Sequence, residues 1–272
     1  YFSDIGSNLK NSIVTLNDKI WKYHEPYQLK KLVNPLDFKF TFRKVSNFDV
    51  FSIVRKINSS KAYGQDMIPP SLVKDAISEI CEPLTQLINL SLTTSIFPSI
   101  EKFARVKPLF TSGNHSIVSN YRPTFILPVF SKILESVVHN QLSEYLEKHQ
   151  LLTSSQFGFR RNRNTQQAVT LITDHIRLNF DKGCHTGAVF LDLSKAFDTV
   201  DHASIINKLS SYGIEDTERK WFESYLFGRK QSVEYGGVLS DHQTITTGVP
   251  QGSILGPILF VLLMNDLHFL LK

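Results

Sequence analysis

Asp192 interrupts the apolar run Ala188-Val-Phe-Leu-Asp-Leu193. Apart from that one residue, the run predicts a strand over 188–193 covered on both faces. A carboxylate in such a strand costs several kcal/mol unless it is paired or bound to a cation. One reading is that it holds Mg²⁺, which takes oxygen ligands and keeps waters and phosphate oxygens as the others. The other is that Asp192 caps the next element or pairs with Lys195. The window alone leaves both open.

The surrounding pattern sets the fold class. Phe38, Phe40 and Phe42 alternate with Lys39, Thr41 and Arg43, a period of two that predicts a short strand. Asn47 is placed to cap a helix carrying Phe48, Phe51, Val54 and Ile57. The polar stretch 58–66 reads as a loop, followed by helices over 70–80 and 83–95. A strand is predicted over 104–110, then a polar loop turning at Gly113. Between 131 and 149, Ile133, Leu134, Val137, Val138, Leu142, Tyr145 and Leu146 recur with helical spacing. Further helices are predicted over 164–181, 202–212, 216–227 and from about 254, with a hairpin over 230–247 turning near Gly236 and Gly237. Residues 1–20 carry an amphipathic helical pattern, and 21–37, with Pro26 and Pro35, read as a linker. Helices mixed with strand pairs, without strict alternation, predict an α+β fold.

Composition narrows the function less than the pattern does. A chain of 272 residues can bury a large core. Thirty Lys and Arg against 25 Asp and Glu leave a charge of +5, which suits a polyanionic partner without identifying one. The two cysteines, Cys81 and Cys184, lie far apart with no metal-ligand spacing around them. That argues against a disulfide framework or a zinc site and suits a reducing compartment, nuclear or cytoplasmic. The apolar run from Ile258 to Met264 is too short to span a bilayer, so no membrane partner is expected. The opening at Tyr1 rather than Met reads as an excerpt from a longer reading frame.

The residues around Asp192 are more specific. The run Phe190-Leu-Asp-Leu-Ser-Lys-Ala-Phe-Asp-Thr-Val-Asp-His202 closely resembles motif A of non-LTR retrotransposon reverse transcriptases. The resemblance implies that Asp192 binds two metal ions, Mg²⁺ or Mn²⁺, with the carbonyl of Leu193 as a further ligand. It puts Phe197 under the sugar, where an apolar ring leaves a 2′-hydroxyl without room or hydrogen-bond partner. Asp198 and Asp201 read as solvated helix-start residues, and His202 as structural. Thr247-Gly-Val-Pro-Gln-Gly-Ser-Ile-Leu-Gly-Pro257 resembles motif B. Gly248 and Gly252 there allow close backbone approach, and Gln251 offers an amide to the incoming nucleotide or the adjoining template base. Ser253 can cap the following helix, and Pro257 is tolerated near its first turn.

Upstream, Asn120-Tyr-Arg-Pro123 followed by Leu127-Pro-Val-Phe-Ser-Lys-Ile-Leu-Glu135 resembles the family's fingers segment. By that resemblance Arg122 meets the triphosphate, a task suited to a guanidinium that stays charged and binds phosphate oxygens in pairs. Gln156-Phe-Gly-Phe-Arg160 resembles the next block, with Arg160, Arg161 and Arg163 facing the template backbone. As a bare feature, the same cluster reads equally well as a solvated loop. Two departures stand out. The loop Phe110-Thr-Ser-Gly-Asn114 lacks the family's lysines, and the chain contains no Tyr-Ala-Asp-Asp; Asp266, at the end of the motif B helix, is not its substitute.

The resemblance implies a right-hand polymerase, fingers and palm, truncated before the end of the palm and without the thumb. Residues 1–60 would precede the polymerase and 61–272 would form the reverse transcriptase domain. The implied partners are an RNA template, a DNA primer and dNTPs, with an endonuclease upstream in the full-length protein. The chain alone is expected to have little or no activity. Two competing readings are a non-catalytic nucleic-acid-binding remnant and a two-metal nuclease built on Asp192 and Asp198.

Overall fold

The computed structural model describes residues 1–5, 7–9, 38–193 and 195–267. The helix and linker expected over 1–20 and 21–37 thus fall almost wholly outside the described residues. Eight helices are described: α1 (Asn47–Arg55), α2 (Pro70–Asp75), α3 (Ile77–Thr94), α4 (Val129–Lys148), α5 (Thr165–Asp181), α6 (His202–Ser210), α7 (Asp216–Leu226) and α8 (Leu255–Met264). Five strands accompany them: β1 (Phe103–Phe110), β2 (Tyr121–Ile126), β3 (Lys230–Tyr235), β4 (Val238–Leu239) and β5 (Gln243–Thr244). The fold is α+β. No described helix is long and apolar enough to cross a membrane.

β1 pairs antiparallel with β2, setting Leu109 opposite Arg122, and parallel with β3, setting Phe103 opposite Lys230. β4 and β5 pair antiparallel with β3. The parallel β1–β3 pair joins strands separated by four helices, so the sheet brings the segment before Arg122 beside the segment before motif B. β2 was missing from the sequence-based expectation. Its Pro123 and its short alternating burial give a weak strand signal, and pairing with β1 supplies what propensity does not.

The main core gathers α1, α3, α4, α6, α7 and α8 around Trp221, Phe222, Tyr225, Ile133, Leu142 and Leu259. Helix α4 runs through its middle, buried on most of its surface. Residues 38–43 show the predicted alternation, with Phe40 buried and Lys39 and Arg43 exposed, but they pair into no sheet. Their backbone is satisfied elsewhere: Phe40 N–H donates to Gly213 O, Phe42 N–H to Glu218 and Arg43 N–H to Gln141. The cap of α1 is Ser46 rather than Asn47, in a reciprocal capping box with Asp49. Residues 70–94 form two helices that break at Ala76, so the predicted boundary moves upstream and Pro83 sits inside α3.

The largest correction concerns 188–193. The segment has no strand pairing, and Val189, Phe190, Leu191 and Leu193 are all exposed. A strand needs a neighbour to receive its backbone N–H and C=O groups, and none of the described strands runs beside it. Helix α5 is in the same condition. It forms where its period predicts, with an Asn164–Gln167 capping box, yet buries none of its residues.

Candidate nucleotide site at the junction of motifs A and B

The second half of the motif A resemblance, unlike the first, is locked in place. The N–H of Gly248 donates to Val200 O at 2.7 Å, and the N–H of Val249 to Phe197 O at 2.8 Å. Gly248 has φ +85°, and a Cβ there would lie 2.9 Å from Asp198 O. Only glycine permits that approach without strain. Gly252, at φ +120°, does the same against β2, where a Cβ would lie 2.8 Å from Phe125 O. The N–H of Phe125 donates to Gln251 O at 3.2 Å. One loop therefore clamps motif A on one side and β2 on the other.

This clamp brings three polar side chains into a row. Arg122 Nε donates to Gln251 Oε1 at 3.4 Å, and Gln251 Nε2 donates to Asp198 Oδ2 at 2.9 Å. Arg122 is exposed, while Gln251 and Asp198 are half-buried. Burial raises the Asp198 carboxyl above the usual carboxylate range, opposed by the Gln251 hydrogen bond and the nearby charges of Lys195 and Arg122. Asp198 is thus not the solvated helix-start residue expected from sequence. Asp201 is one: its carboxylate accepts from Ser204 N–H and caps α6. His202 is buried and bonds Gly248 O at 2.7 Å, a structural role as expected.

Phe197 is half-buried beside this row, its ring 5.9 Å from that of Phe159 and 5.1 Å from that of Phe260 on α8. Asp192 lies in the exposed segment before it. The structure therefore brings Arg122, Phe197, Gln251 and Gly252 together and does not bury Asp192 and Leu193 beside them. Among the described residues, no group of three or more His, Cys, Asp or Glu is placed to hold an ion.

The three arginines of the upstream block have different settings. Arg160 is largely buried and makes a two-pronged ion pair with Glu147 at 2.7 and 2.8 Å, plus a hydrogen bond to Thr153 O. Arg161 donates to Asn140, and Arg163 lies over the Phe157 ring at the edge of an open groove with Gln167, Thr170 and Asp174.

Support from behind includes one residue whose role the sequence did not single out, Glu135. Glu135, wholly buried on α4, accepts from Ile254 N–H at 2.7 Å and Leu255 N–H at 3.2 Å. Ser253 Oγ accepts from Gly256 N–H, the capping role expected of it. Asp266, past the end of α8, is buried in an ion pair with Lys208 of α6. Glu135 belongs to a quoted motif, but only the packing of α4 on α8 reveals which helix end it serves.

Comparison with known proteins identifies the family. The family model described as reverse transcriptase (RNA-dependent DNA polymerase) matches residues 111–272. A probable RNA-directed DNA polymerase from transposon BS of Drosophila melanogaster is 29% identical over 89% of this chain and 27% of its own length. The RNA-directed DNA polymerase from mobile element jockey of Drosophila funebris is 28% identical over 90% of this chain and 27% of its own. A probable polymerase from transposon X-element of Drosophila melanogaster is 26% identical over 80% of this chain and 24% of its own. The chain thus spans about a quarter of the length of the curated relatives it matches. With motif A and motif B clamped together and a match running through both, the chain belongs to the reverse transcriptase family, in its non-LTR retrotransposon branch.

Proposed function

We propose that this chain is the nucleotide-facing part, fingers and partial palm, of an RNA-directed DNA polymerase. Residues 61–272 belong to the polymerase domain, and 1–60 form an extension ahead of it. In the reaction the primer 3′-hydroxyl attacks the α-phosphate of a dNTP and pyrophosphate leaves. Arg122 binds the triphosphate, Phe197 rejects the ribose 2′-hydroxyl, and Gln251 with Gly252 shapes the floor on which the nucleotide rests. Arg161 and Arg163, and Arg160 less directly through the loop it anchors, face the template backbone. The observation that carries the reading is the meeting of Arg122 and Gln251 next to Phe197, from three separate segments.

The family's enzymes generally use divalent metals. We assign Mg²⁺ or Mn²⁺, two ions, to the intact enzyme, with Asp192 and the Leu193 carbonyl as ligands. Among the described residues Asp192 is not part of any group of three or more His, Cys, Asp or Glu placed to hold an ion, and bound metal would supply charge stabilisation to the attacking and leaving oxygens. RNA template, DNA primer and dNTPs are the proposed partners, with an endonuclease elsewhere in the full-length protein.

The test is primer extension on an RNA template. A polymerase carrying this segment together with a Tyr-Ala-Asp-Asp motif is expected to incorporate dNTPs and to lose that activity in Asp192→Ala. The present chain alone is expected to incorporate little or none. Undiminished extension by Asp192→Ala would refute the reading. Salt-sensitive binding without extension in either form would favour the non-catalytic remnant.

A further inference from the structure

We propose that Asp198 is a positioning residue for nucleotide recognition that acts by fixing the amide of Gln251. The inference rests on the polymerase reading above and deepens it. A glutamine amide has two ends of similar shape and opposite hydrogen-bonding character, so its neighbours choose its orientation. Here the choice is forced. Arg122 can only donate and an ionised Asp198 can only accept, so Oε1 must face the arginine and Nε2 the carboxylate. One N–H and one lone pair of the amide remain for a ligand.

Without Asp198, Gln251 Nε2 loses the carboxylate that it donates to. Rotation would turn that donor toward the Arg122 guanidinium, where two donors meet, and would break the hydrogen bond that Arg122 makes to motif B. The carboxylate is well held for this task. Its own backbone packs against Gly248, and its neighbours Phe197 and Val200 accept from Val249 and Gly248. Because Asp198 follows Phe197 directly, one clamp sets both the ring proposed to sense the sugar and the carboxylate that aligns the amide. The charged groups facing it are Lys195 and Arg122, and the buried Arg229 lines the same small cavity.

The experiment compares the wild-type chain with Asp198→Ala, Asp198→Asn, Gln251→Ala and the Asp198→Ala/Gln251→Ala pair. Two readouts are taken: dNTP affinity on a primed RNA template, and the ¹⁵N-resolved Gln251 side-chain amide followed against pH. Loss of a hydrogen bond to a charged group predicts a dNTP affinity about tenfold weaker in Asp198→Ala, with primed-template affinity unchanged. Asp198→Asn keeps an acceptor and is expected to recover most of the loss. In wild type the Gln251 amide shift should titrate, whereas in Asp198→Asn it should not. The double variant should be no worse than Gln251→Ala, since both changes break one device. Wild-type dNTP affinity in Asp198→Ala, or fully additive losses in the pair, would overturn the proposal. Should Asp198→Ala fail to fold, Asp198→Asn carries the test, and a Gln251 amide that still titrates in it overturns the idea. Absence of dNTP binding by the wild type would instead count against the polymerase reading.

Discussion

The carboxylate of Glu135 accepts a 2.7 Å hydrogen bond from the backbone N–H of Ile254, 119 residues further along the chain. It also accepts from Leu255 and from the Ser131 hydroxyl, so a wholly buried acid is satisfied by a helix N-terminus and one side chain. Helix N-termini favour negative charge, and the arrangement fixes where motif B begins. Replacing Glu135 by Ala should cost about 2–3 kcal/mol, because two N–H groups lose a charged acceptor in a dry setting. Glu135→Gln should cost less. Chemical denaturation of the two variants checks the order.

Gly248 and Gly252 should tolerate no side chain. In Gly248→Ala the new Cβ meets the backbone of Asp198, and in Gly252→Ala it meets Phe125 O, each at a positive φ. Each substitution should destabilise the fold by roughly 1–3 kcal/mol and weaken dNTP binding more than template binding. Gly237→Ala, with open space around it, is the control that carries only the cost of its positive φ. Thermal unfolding and nucleotide titration on the same samples separate the two effects.

Burial pushes the Glu101 carboxyl from its ordinary 4.5 up to about 7, against the hydrogen bond it accepts from Ser131 N–H and with help from nearby Asp66. The folded state therefore holds this proton more tightly than the unfolded chain. Its contribution to stability is fully present below about pH 4.5 and is lost as pH rises through about 7. The change over that window should be roughly 2–3 kcal/mol. Glu101→Gln keeps an acceptor for Ser131 and should remove this slope. Parallel denaturation series from pH 4 to 8, wild type against Glu101→Gln, measure the difference.

The arginines near motif A should divide by role. Arg160→Ala breaks a paired, half-buried contact with Glu147 and should lower stability by about 1–2 kcal/mol, with its effect on template affinity following from the loop. Arg161→Ala with Arg163→Ala should leave stability nearly unchanged and reduce the salt dependence of RNA binding by about two counterions. Binding isotherms at several salt concentrations distinguish the cases.

What could be read from sequence follows a physical division. Helices with strong periodicity, such as α4 and α7, appear close to where the pattern puts them, because their burial is encoded in their own residues. The glycines and Gln251 of motif B were legible because a tight loop restricts which residues fit. The strand expected over 188–193 failed because a strand is a property of its neighbour as much as of itself. Phe38, Phe40 and Phe42 alternate correctly for the same reason that they are no sheet: their backbone partners are Gly213, Glu218 and Gln141, not a second strand. Asp198 was misjudged because its environment is made by Gln251, 53 residues away in sequence, and by Arg122 on β2.

The central claim is that Arg122, Phe197 and Gln251 form a sugar-selective nucleotide site. Equilibrium titration of a dNTP and the matching NTP onto the chain bound to primed RNA tests it most directly. The dNTP should bind at least about tenfold tighter than the NTP, Phe197→Ala should bring the two together, and Arg122→Ala should weaken both. Equal binding of dNTP and NTP by the folded wild type, unaffected by Phe197→Ala and Arg122→Ala, would contradict the account.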